Sequence, residues 1–196
     1  LVVDDGSNDK TSIVVRSLGA EILRLESNQG KAYAMKKGYE LSTSSIIVFL
    51  DADLGSSAED SIKLIEPICY DKADVTIAIF SPTPGKGGFG LVKKLSTWGL
   101  RFLTGKSYKT VLSGQRAFKR SLLSPDSFKY QRFGIEFGMM VDLIKSDLRI
   151  AEVEVDMVHR TSTRDFKGFV HRGKQFKDIL KVFISKLSQM LIFNTQ

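Results

Sequence analysis

The sequence predicts an α/β fold in which a mostly parallel sheet is flanked by helices. Segments with helical spacing alternate with short apolar segments along most of the 196 residues. The apolar segments, such as Ile46–Leu50, are hydrophobic on both faces, as are strands of a parallel sheet that helices cover on both sides. One domain usually takes about 100–200 residues. We therefore expect a single domain over residues 1–196.

The first 80 residues read as alternating strands and helices. β-branched and aliphatic runs predict the strands, and apolar residues three or four apart predict the helices. Ser7 or Asp9 can cap the first helix, and Ser57 with Asp60 three residues later is close to a capping box. The strands are expected at Leu1–Asp4, Ala20–Leu25, Ile46–Asp51 and Asp74–Phe80, and the helices at Asp9–Leu18, Gly30–Leu41 and Ser57–Tyr70.

The second part of the chain begins with a loop rich in proline and glycine at 81–88. It is either a lid or acceptor loop or a plain connector. Further helices are expected at Phe89–Leu103 and Gly134–Lys145, and strands at Leu112–Phe118 and Arg149–Asp156. A basic amphipathic helix over His171–Phe193 ends the sequence, and it either packs on its own domain or lies on a membrane surface or a partner.

Basic residues are concentrated in two segments. Residues 81–132 contain 11 basic and 1 acidic side chains, and residues 159–196 contain 8 and 2. Such segments favour an anionic partner, although a solvated lysine face is the alternative. The sequence shows no signature of a nucleic-acid-binding module, so no nucleic acid is expected.

The single cysteine and the lengths of the apolar runs bear on the compartment. Cys69, the only cysteine, is predicted to be a buried thiol, which fits a reducing compartment. The apolar runs fall short of the ~20 residues that span a bilayer. We expect a cytoplasmic protein with possible peripheral association at the inner face of the membrane.

Two carboxylates follow the apolar strand at Ile46–Leu50. Side chains at positions i and i+2 of an extended segment point the same way, so Asp51 and Asp53 can face one point at the carboxyl edge of the sheet. Carboxylate oxygens combined with substrate phosphate oxygens suit Mg²⁺ or Mn²⁺. An Asp-x-Asp triplet at a turn or a helix cap is the alternative interpretation.

Two other motifs lie where predicted elements meet. The first strand brings Asp4 and Asp5 to the same edge, where they could accept hydrogen bonds from a base or a ribose. Asn28-Gln29-Gly30-Lys31 opens a helix, whose backbone N–H groups and lysine could bind an anion.

Taken together, Val3-Asp4-Asp5-Gly6-Ser7, Asn28-x-Gly30-Lys31 and Asp51-x-Asp53 resemble the nucleotide-sugar domain of family 2 glycosyltransferases with the GT-A (Rossmann-like) fold. The similarity continues downstream and covers nearly the whole chain. The downstream residues resemble the branch of the family that makes polyprenyl-phosphate or dolichyl-phosphate sugars, with some similarity to glucosyl-3-phosphoglycerate synthases. The downstream motifs are Ser113–Arg120, Phe133–Glu136, Ile150–Val155 and His159-Arg160.

The resemblance implies roles for individual residues and a metal-dependent transfer from a UDP- or GDP-sugar to a phosphorylated, lipid-phosphate or glycan acceptor. Mg²⁺ or Mn²⁺ is the implied cofactor. The resemblance also implies a nucleotide-binding half (1–80), an acceptor-binding half (81–170) and a C-terminal amphipathic helix (171–196) within the one domain. Members normally begin with a further strand and helix, so the first strand of the sheet is expected to be missing here. The implied roles are nucleotide binding by Asp4, Asp5, Lys31 and Asp51, metal binding by Asp51, Asp53 and His159, catalysis by Glu136 and Asp53, and acceptor or phosphate binding by Gly114, Arg116 and Arg160.

Two other functions remain open from the sequence. A nucleotidyltransferase shares this type of sheet and its metal chemistry. A non-catalytic module would bind a nucleotide through the same acidic edge without turnover.

Overall fold

The structure of the chain is a computed structural model that describes residues 1–81, 90–158 and 166–193. These residues form an α/β fold. Its strands are β1 (Val2–Asp4), β2 (Ile22–Arg24), β3 (Ile46–Phe49), β4 (Val75–Phe80), β5 (Arg116–Lys119) and β6 (Ile150–Val155). Its α-helices are α1 (Thr11–Ser17), α2 (Lys31–Leu41), α3 (Ile62–Cys69), α4 (Leu91–Thr104), α5 (Gly134–Lys145) and α6 (Phe166–Phe193).

The main sheet has four strands in the order β3-β5-β4-β6. β4 and β6 are parallel, whereas β5 is antiparallel to both β3 and β4. β3, β4 and β6 therefore run in one direction, which confirms the mostly parallel arrangement with β5 as the exception. The strand predicted at Leu112–Phe118 is shorter, at Arg116–Lys119, and it is antiparallel because segment 105–115 returns the chain to the carboxyl edge before β5 starts.

Two hydrophobic clusters cover the two faces of the main sheet. Val75 and Ile77 of β4 belong to the cluster that α4, α5 and α6 complete, whereas Ala78 belongs to the cluster of α3. This alternation follows from the period of two along a strand. The helices thus form one layer on each face, and α3 lies opposite α4 and α6.

β1 and β2 form a separate parallel pair. A cavity of about 370 Å³ lies between β1 and β3, with Val3 on one side and Ile47 on the other. Within the described ranges, the two sheets are joined through α2, whose Ala32 reaches the main core. The expectation of a further strand ahead of Leu1 stays a prediction.

The segment predicted as one helix over Ser57–Tyr70 is divided. Residues Gly55–Ser61 form a 3₁₀-helix and α3 follows it. Ser57 does not cap the helix that follows it. Its hydroxyl donates to the carbonyl of Leu54, three residues earlier, at 2.6 Å. The prediction of a buried Cys69 was also wrong: the thiol is exposed, since Leu64 and Ile68 form the buried face of α3.

Helix α6 packs on its own domain. Ile179 and Phe183 are buried in the main core, and Lys186 forms an ion pair with Asp142 of α5. The helix begins at Phe166, ahead of the predicted His171. Among the described residues, no helix has both the length and the hydrophobicity needed to cross a bilayer.

Candidate active site

Asp51 lies just beyond the end of β3, where three side chains meet. The Lys31 ammonium is 2.8 Å from Asp51 Oδ1, and the Gln115 side-chain amide donates to Asp51 Oδ2 at 2.8 Å. Lys31 begins α2, and Gln115 precedes β5, whose antiparallel register pairs Arg116 with Phe49. That register places the residues just before β5 opposite those just after β3.

Gln115 is itself held in place. It is fully buried, and the Ser113 hydroxyl donates to its side-chain oxygen at 3.2 Å. Its amide nitrogen is therefore directed at Asp51. The charged Lys31 ammonium and the neutral Gln115 amide together orient the Asp51 carboxylate.

Glu136 lies on the other side of Lys31. It is in the first turn of α5, and its Oε1 is 2.8 Å from the Lys31 ammonium. Burial would lower the pKa of Lys31, but the carboxylates of Glu136 and Asp51 outweigh it and raise the pKa above its ordinary value. Lys31 therefore stays protonated and links α2 and the end of β3 to α5.

Gly114 is packed against this ion-paired group. A Cβ atom at this position would lie 2.6 Å from Asp51 Oδ2 and 2.7 Å from the Lys31 ammonium. A glycine is required here because both side chains approach its Cα closely. The residue predicted to bind the acceptor thus also shapes the position of Asp51.

Asp53 and Asp51 line one cavity of about 830 Å³. Gly55 and Ser57 of the 3₁₀-helix and Val158 beyond β6 complete its wall. β3 ends at Phe49, and Asp53 lies in the following turn rather than in an extended strand. The two residues nevertheless line the same cavity, and the prediction that their carboxylates face one point stays a prediction.

Asp4 closes the turn after β1. Its two oxygens accept hydrogen bonds from the Ser12 hydroxyl at 2.5 Å and from the Ser7 N–H at 2.8 Å. These bonds, the Ser12 bond above all, lower the pKa of Asp4 to about 2. The Asp4 side chain therefore stabilises the loop that presents Asp5.

Asp5 binds the N-terminal end of α2. Its oxygens accept hydrogen bonds from the backbone N–H groups of Gln29 at 2.7 Å and of Gly30 at 2.8 Å. These two N–H groups belong to the predicted anion site, and in this structure they bind the Asp5 carboxylate.

Arg116 is buried in the interior of the protein. Its guanidinium donates to the carbonyls of Ser113 at 2.8 Å and Val111 at 2.7 Å, and its Nη1 has no hydrogen-bond partner. Burial lowers its pKa to about 10. The described contacts make Arg116 a support of the loop that carries Gly114 and Gln115, and its predicted contact with the acceptor stays a prediction.

Two predicted residues, His159 and Arg160, lie outside the described residues. Within the described ranges, no group of three or more histidine, cysteine, aspartate or glutamate side chains is arranged to hold a metal ion. The predicted third ligand therefore stays a prediction.

The sequence analysis missed the role of Gln115. The residue lies within the Ser113–Arg120 motif, directly after Gly114, but its contact depends on the antiparallel register of β5. In the structure, the signal is that Gln115 is polar, is fully buried and lies beside the predicted site residue Asp51.

Comparisons with known proteins identify the family of the chain. Residues 1–126 match the family described as "Glycosyl transferase family 2". An uncharacterized protein of Methanocaldococcus jannaschii is 28% identical over 199 residues, which cover 95% of this chain and 80% of that protein. The UDP-N-acetylglucosamine–dolichyl-phosphate N-acetylglucosaminyltransferase of Methanococcus voltae is 29% identical over 188 residues, covering 81% of this chain and 74% of that enzyme.

A solved structure shows the same fold. Glucosyl-3-phosphoglycerate synthase from Mycobacterium tuberculosis, in complex with Mn²⁺, UDP and glucosyl-3-phosphoglycerate, superposes with a TM-score of 0.75 at 22% identity. The match covers 94% of this chain and 67% of that protein.

Proposed function

The chain belongs to glycosyl transferase family 2, and we propose that it transfers a sugar from a nucleoside-diphosphate sugar to a polyprenyl-phosphate acceptor in a metal-dependent reaction. The observation that carries this proposal is the group of Asp51, Lys31 and Glu136, joined by two 2.8 Å ion pairs at the carboxyl edge of the sheet. Ligands of open α/β sheets bind at this edge.

The donor nucleotide is assigned to the region of Asp5, Lys31 and Asp51. Lys31 supplies a positive charge within reach of a diphosphate, and the cavity lined by Asp51 and Asp53 has room for the sugar nucleotide. The dolichyl-phosphate relative uses a UDP-sugar by its name, which supports UDP as the first nucleotide to test.

Asp51 and Asp53 would hold the divalent cation. Their hard oxygen atoms at one cavity fit Mg²⁺ or Mn²⁺, which typically take one or two carboxylates together with substrate phosphates and water. A bound cation would neutralise the charge that develops on the leaving diphosphate. Gln115 and Lys31 fix the Asp51 carboxylate so that it need not reorganise.

The acceptor is proposed to be anionic because of the basic composition of the segment that follows β4. Residues 81–132 carry 11 basic side chains and a single acidic one. A phosphate acceptor is already a nucleophile and requires positioning more than deprotonation. Glu136, 2.8 Å from Lys31, would then orient the sugar or assist proton removal where the acceptor is a hydroxyl.

Calorimetric titration of UDP, GDP and CDP, with and without Mn²⁺, tests the donor and metal assignments. We expect one nucleotide to bind in the presence of Mn²⁺ and the binding to fall by at least roughly 100-fold in Asp51→Asn/Asp53→Asn. Transfer from the matching radiolabelled sugar nucleotide to a polyprenyl phosphate, compared with 3-phosphoglycerate, then tests the acceptor.

The double variant Glu66→Gln/Asp126→Asn is the matched control. It also removes two carboxylates, both exposed and away from the cavity. Equal affinity in wild type and Asp51→Asn/Asp53→Asn would contradict the assignment of these carboxylates. Transfer to 3-phosphoglycerate alone would contradict the polyprenyl-phosphate acceptor and leave the donor site intact.

A further inference from the structure

Helix α4 exposes large apolar side chains along one face. Leu91, Trp98 and Phe102 are 61%, 57% and 52% exposed, and their spacing of seven and four residues puts them on one side of the helix. The rings of Trp98 and Phe102 are stacked, with centroids 5.4 Å apart. Solvated single apolar residues are common, but a stacked aromatic pair on an exposed face indicates a binding surface.

Helix α6 continues this surface. Phe183, which is buried, lies 5.4 Å from the Trp98 ring and 5.9 Å from the Phe102 ring, so it anchors α6 directly beside the stacked pair. Ile184 and Leu191 are 53% and 57% exposed and are spaced by seven residues. We call the face formed by Leu91, Trp98, Phe102, Ile184 and Leu191 the α4–α6 surface.

Basic side chains border the apolar ones. Lys94 and Arg101, both exposed, lie one turn before and after Trp98 on the same side of α4. On α6, the exposed Lys181 lies one turn before Ile184 and the exposed Lys177 lies two turns before it. α4 contains no acidic residue.

The acidic charge of α6 points elsewhere. Its one acidic residue, Asp178, is half-buried, its Oδ2 is buried, and it lines a cavity together with Tyr130 and Gln131. Among the described residues of α4 and α6, the α4–α6 surface therefore combines aromatic and aliphatic groups with lysine and arginine.

From this combination we propose that the α4–α6 surface binds the face of an anionic phospholipid bilayer. Tryptophan and phenylalanine enter the boundary between headgroups and acyl chains, while lysine and arginine extend to the lipid phosphates. Packing against a second copy of the chain is disfavoured because it would bring two basic surfaces together. The inference concerns lipid binding alone and holds for any donor or acceptor.

The orientation of the two helices fits this role. β4 and β6 run parallel to each other, and α4 and α6 follow them in the chain. Val182 of α6, next to Phe183, lies beside Gly134 at the start of α5, two residues before Glu136. A bilayer bound along α4 and α6 would run beside the candidate active site rather than behind it.

Vesicle binding tests the surface on the wild-type protein. Trp98 is the only tryptophan in the chain, so its emission reports on this surface directly. With vesicles of equal parts phosphatidylcholine and phosphatidylglycerol, we expect co-sedimentation and a shift of the Trp98 emission to shorter wavelength. With phosphatidylcholine alone, or at high salt, both effects should weaken strongly because the electrostatic attraction is lost.

Two variants separate the apolar and electrostatic contributions. Trp98→Ala/Phe102→Ala and Lys94→Glu/Arg101→Glu should each reduce the vesicle-bound fraction by about tenfold. The control Ile62→Ala/Tyr70→Ala removes exposed apolar side chains from α3, on the opposite face of the sheet, and should bind as the wild type does. Circular dichroism melts establish that the variants are folded.

Three results would overturn the proposal. They are the absence of binding to anionic vesicles, binding without any change in Trp98 emission, and binding that the α3 control reduces as much as the α4 variants do. A Trp98 shift that depends on protein concentration without vesicles would assign the surface to self-association instead.

Discussion

Substituting Gly114 by alanine is expected to displace the Asp51 side chain while changing the stability of the fold very little. The new Cβ would lie 2.6 Å from Asp51 Oδ2 and 2.7 Å from the Lys31 ammonium. Ordinary van der Waals contact requires roughly 1 Å more. The carboxylate and the ammonium must therefore move apart, and the 2.8 Å hydrogen bond from Gln115 to Asp51 cannot be kept.

The expected cost to stability is small. The atoms that move are the ends of flexible side chains, and the lost hydrogen bond contributes about 1 kcal/mol. Gly114 does not adopt a positive φ, so alanine also gains about 0.4–1 kcal/mol from the restricted unfolded chain. The two effects nearly cancel, and the Tm should change by no more than about 4 °C.

The expected cost to function is large. A displacement of about 1 Å in a catalytic group costs on the order of 100-fold in rate. We therefore expect Gly114→Ala to retain a near-wild-type melting temperature while its transfer rate falls about 100-fold and its Mn²⁺-dependent nucleotide affinity falls by about tenfold or more.

Calorimetric titration and a radiolabelled transfer assay measure these effects, and scanning calorimetry measures the Tm. Gly173→Ala is the matched control, because a Cβ built on Gly173 meets no atom within 4 Å. Wild-type nucleotide affinity and rate in Gly114→Ala would refute the reasoning, because Asp51 would then tolerate displacement. A collapse of stability would also refute it, since the close contact would then be structural.

Two further predictions concern the carboxylates at Glu136 and Asp4. Glu136→Gln keeps an oxygen for the hydrogen bond with Lys31 but removes the charge. Because Glu136 is proposed to orient the sugar, turnover should fall by roughly 100-fold while nucleotide affinity changes little, and unchanged turnover would show that Glu136 is only a counter-ion of Lys31. For Asp4, whose folded pKa of about 2 lies below the unfolded value near 4, the carboxylate stabilises the fold above the unfolded pKa and loses this effect as the pH falls through the folded pKa. Urea unfolding should therefore show the stability difference between wild type and Asp4→Asn shrinking from pH 4 to pH 2, and a constant difference over that range would contradict the assignment of the Ser12 and Ser7 bonds.

The position of the site at one edge of the sheet could be anticipated, because parallel strands bring their last residues to the same edge. That rule places Asp4, Asp5 and Asp51 on the same side of the protein, and the sequence alone contains the apolar runs that it needs. The encounter of Lys31 with Asp51 follows from the same rule, since α2 starts at that edge. These parts of the site depend on local patterns and on general topology.

The remaining contacts depend on registers that no local pattern encodes. The bond from Gln115 to Asp51 requires β5 to be antiparallel with Arg116 opposite Phe49. The hydrogen bonds from the N-terminal end of α2 to Asp5 require the loop after β1 to reach the start of α2. Burial of the Arg116 side chain was not predictable either, because a charged residue in a functional motif suggests exposure, whereas here carbonyls of its own loop compensate it.

The charges of the site explain why a nucleotide should depend on a cation. The Lys31 ammonium lies 2.8 Å from Asp51, and Glu136 shares it at the same distance. Asp53 adds a further carboxylate to the cavity wall. A diphosphate entering this cavity would lie close to the carboxylates of Asp51 and Asp53, and a pair of like charges a few ångströms apart near a protein surface repels by about 4 kcal/mol. A divalent cation bound by these carboxylates would replace that repulsion by attraction. The carboxylates that would repel a nucleotide on its own are thus the ones that would bind the cation.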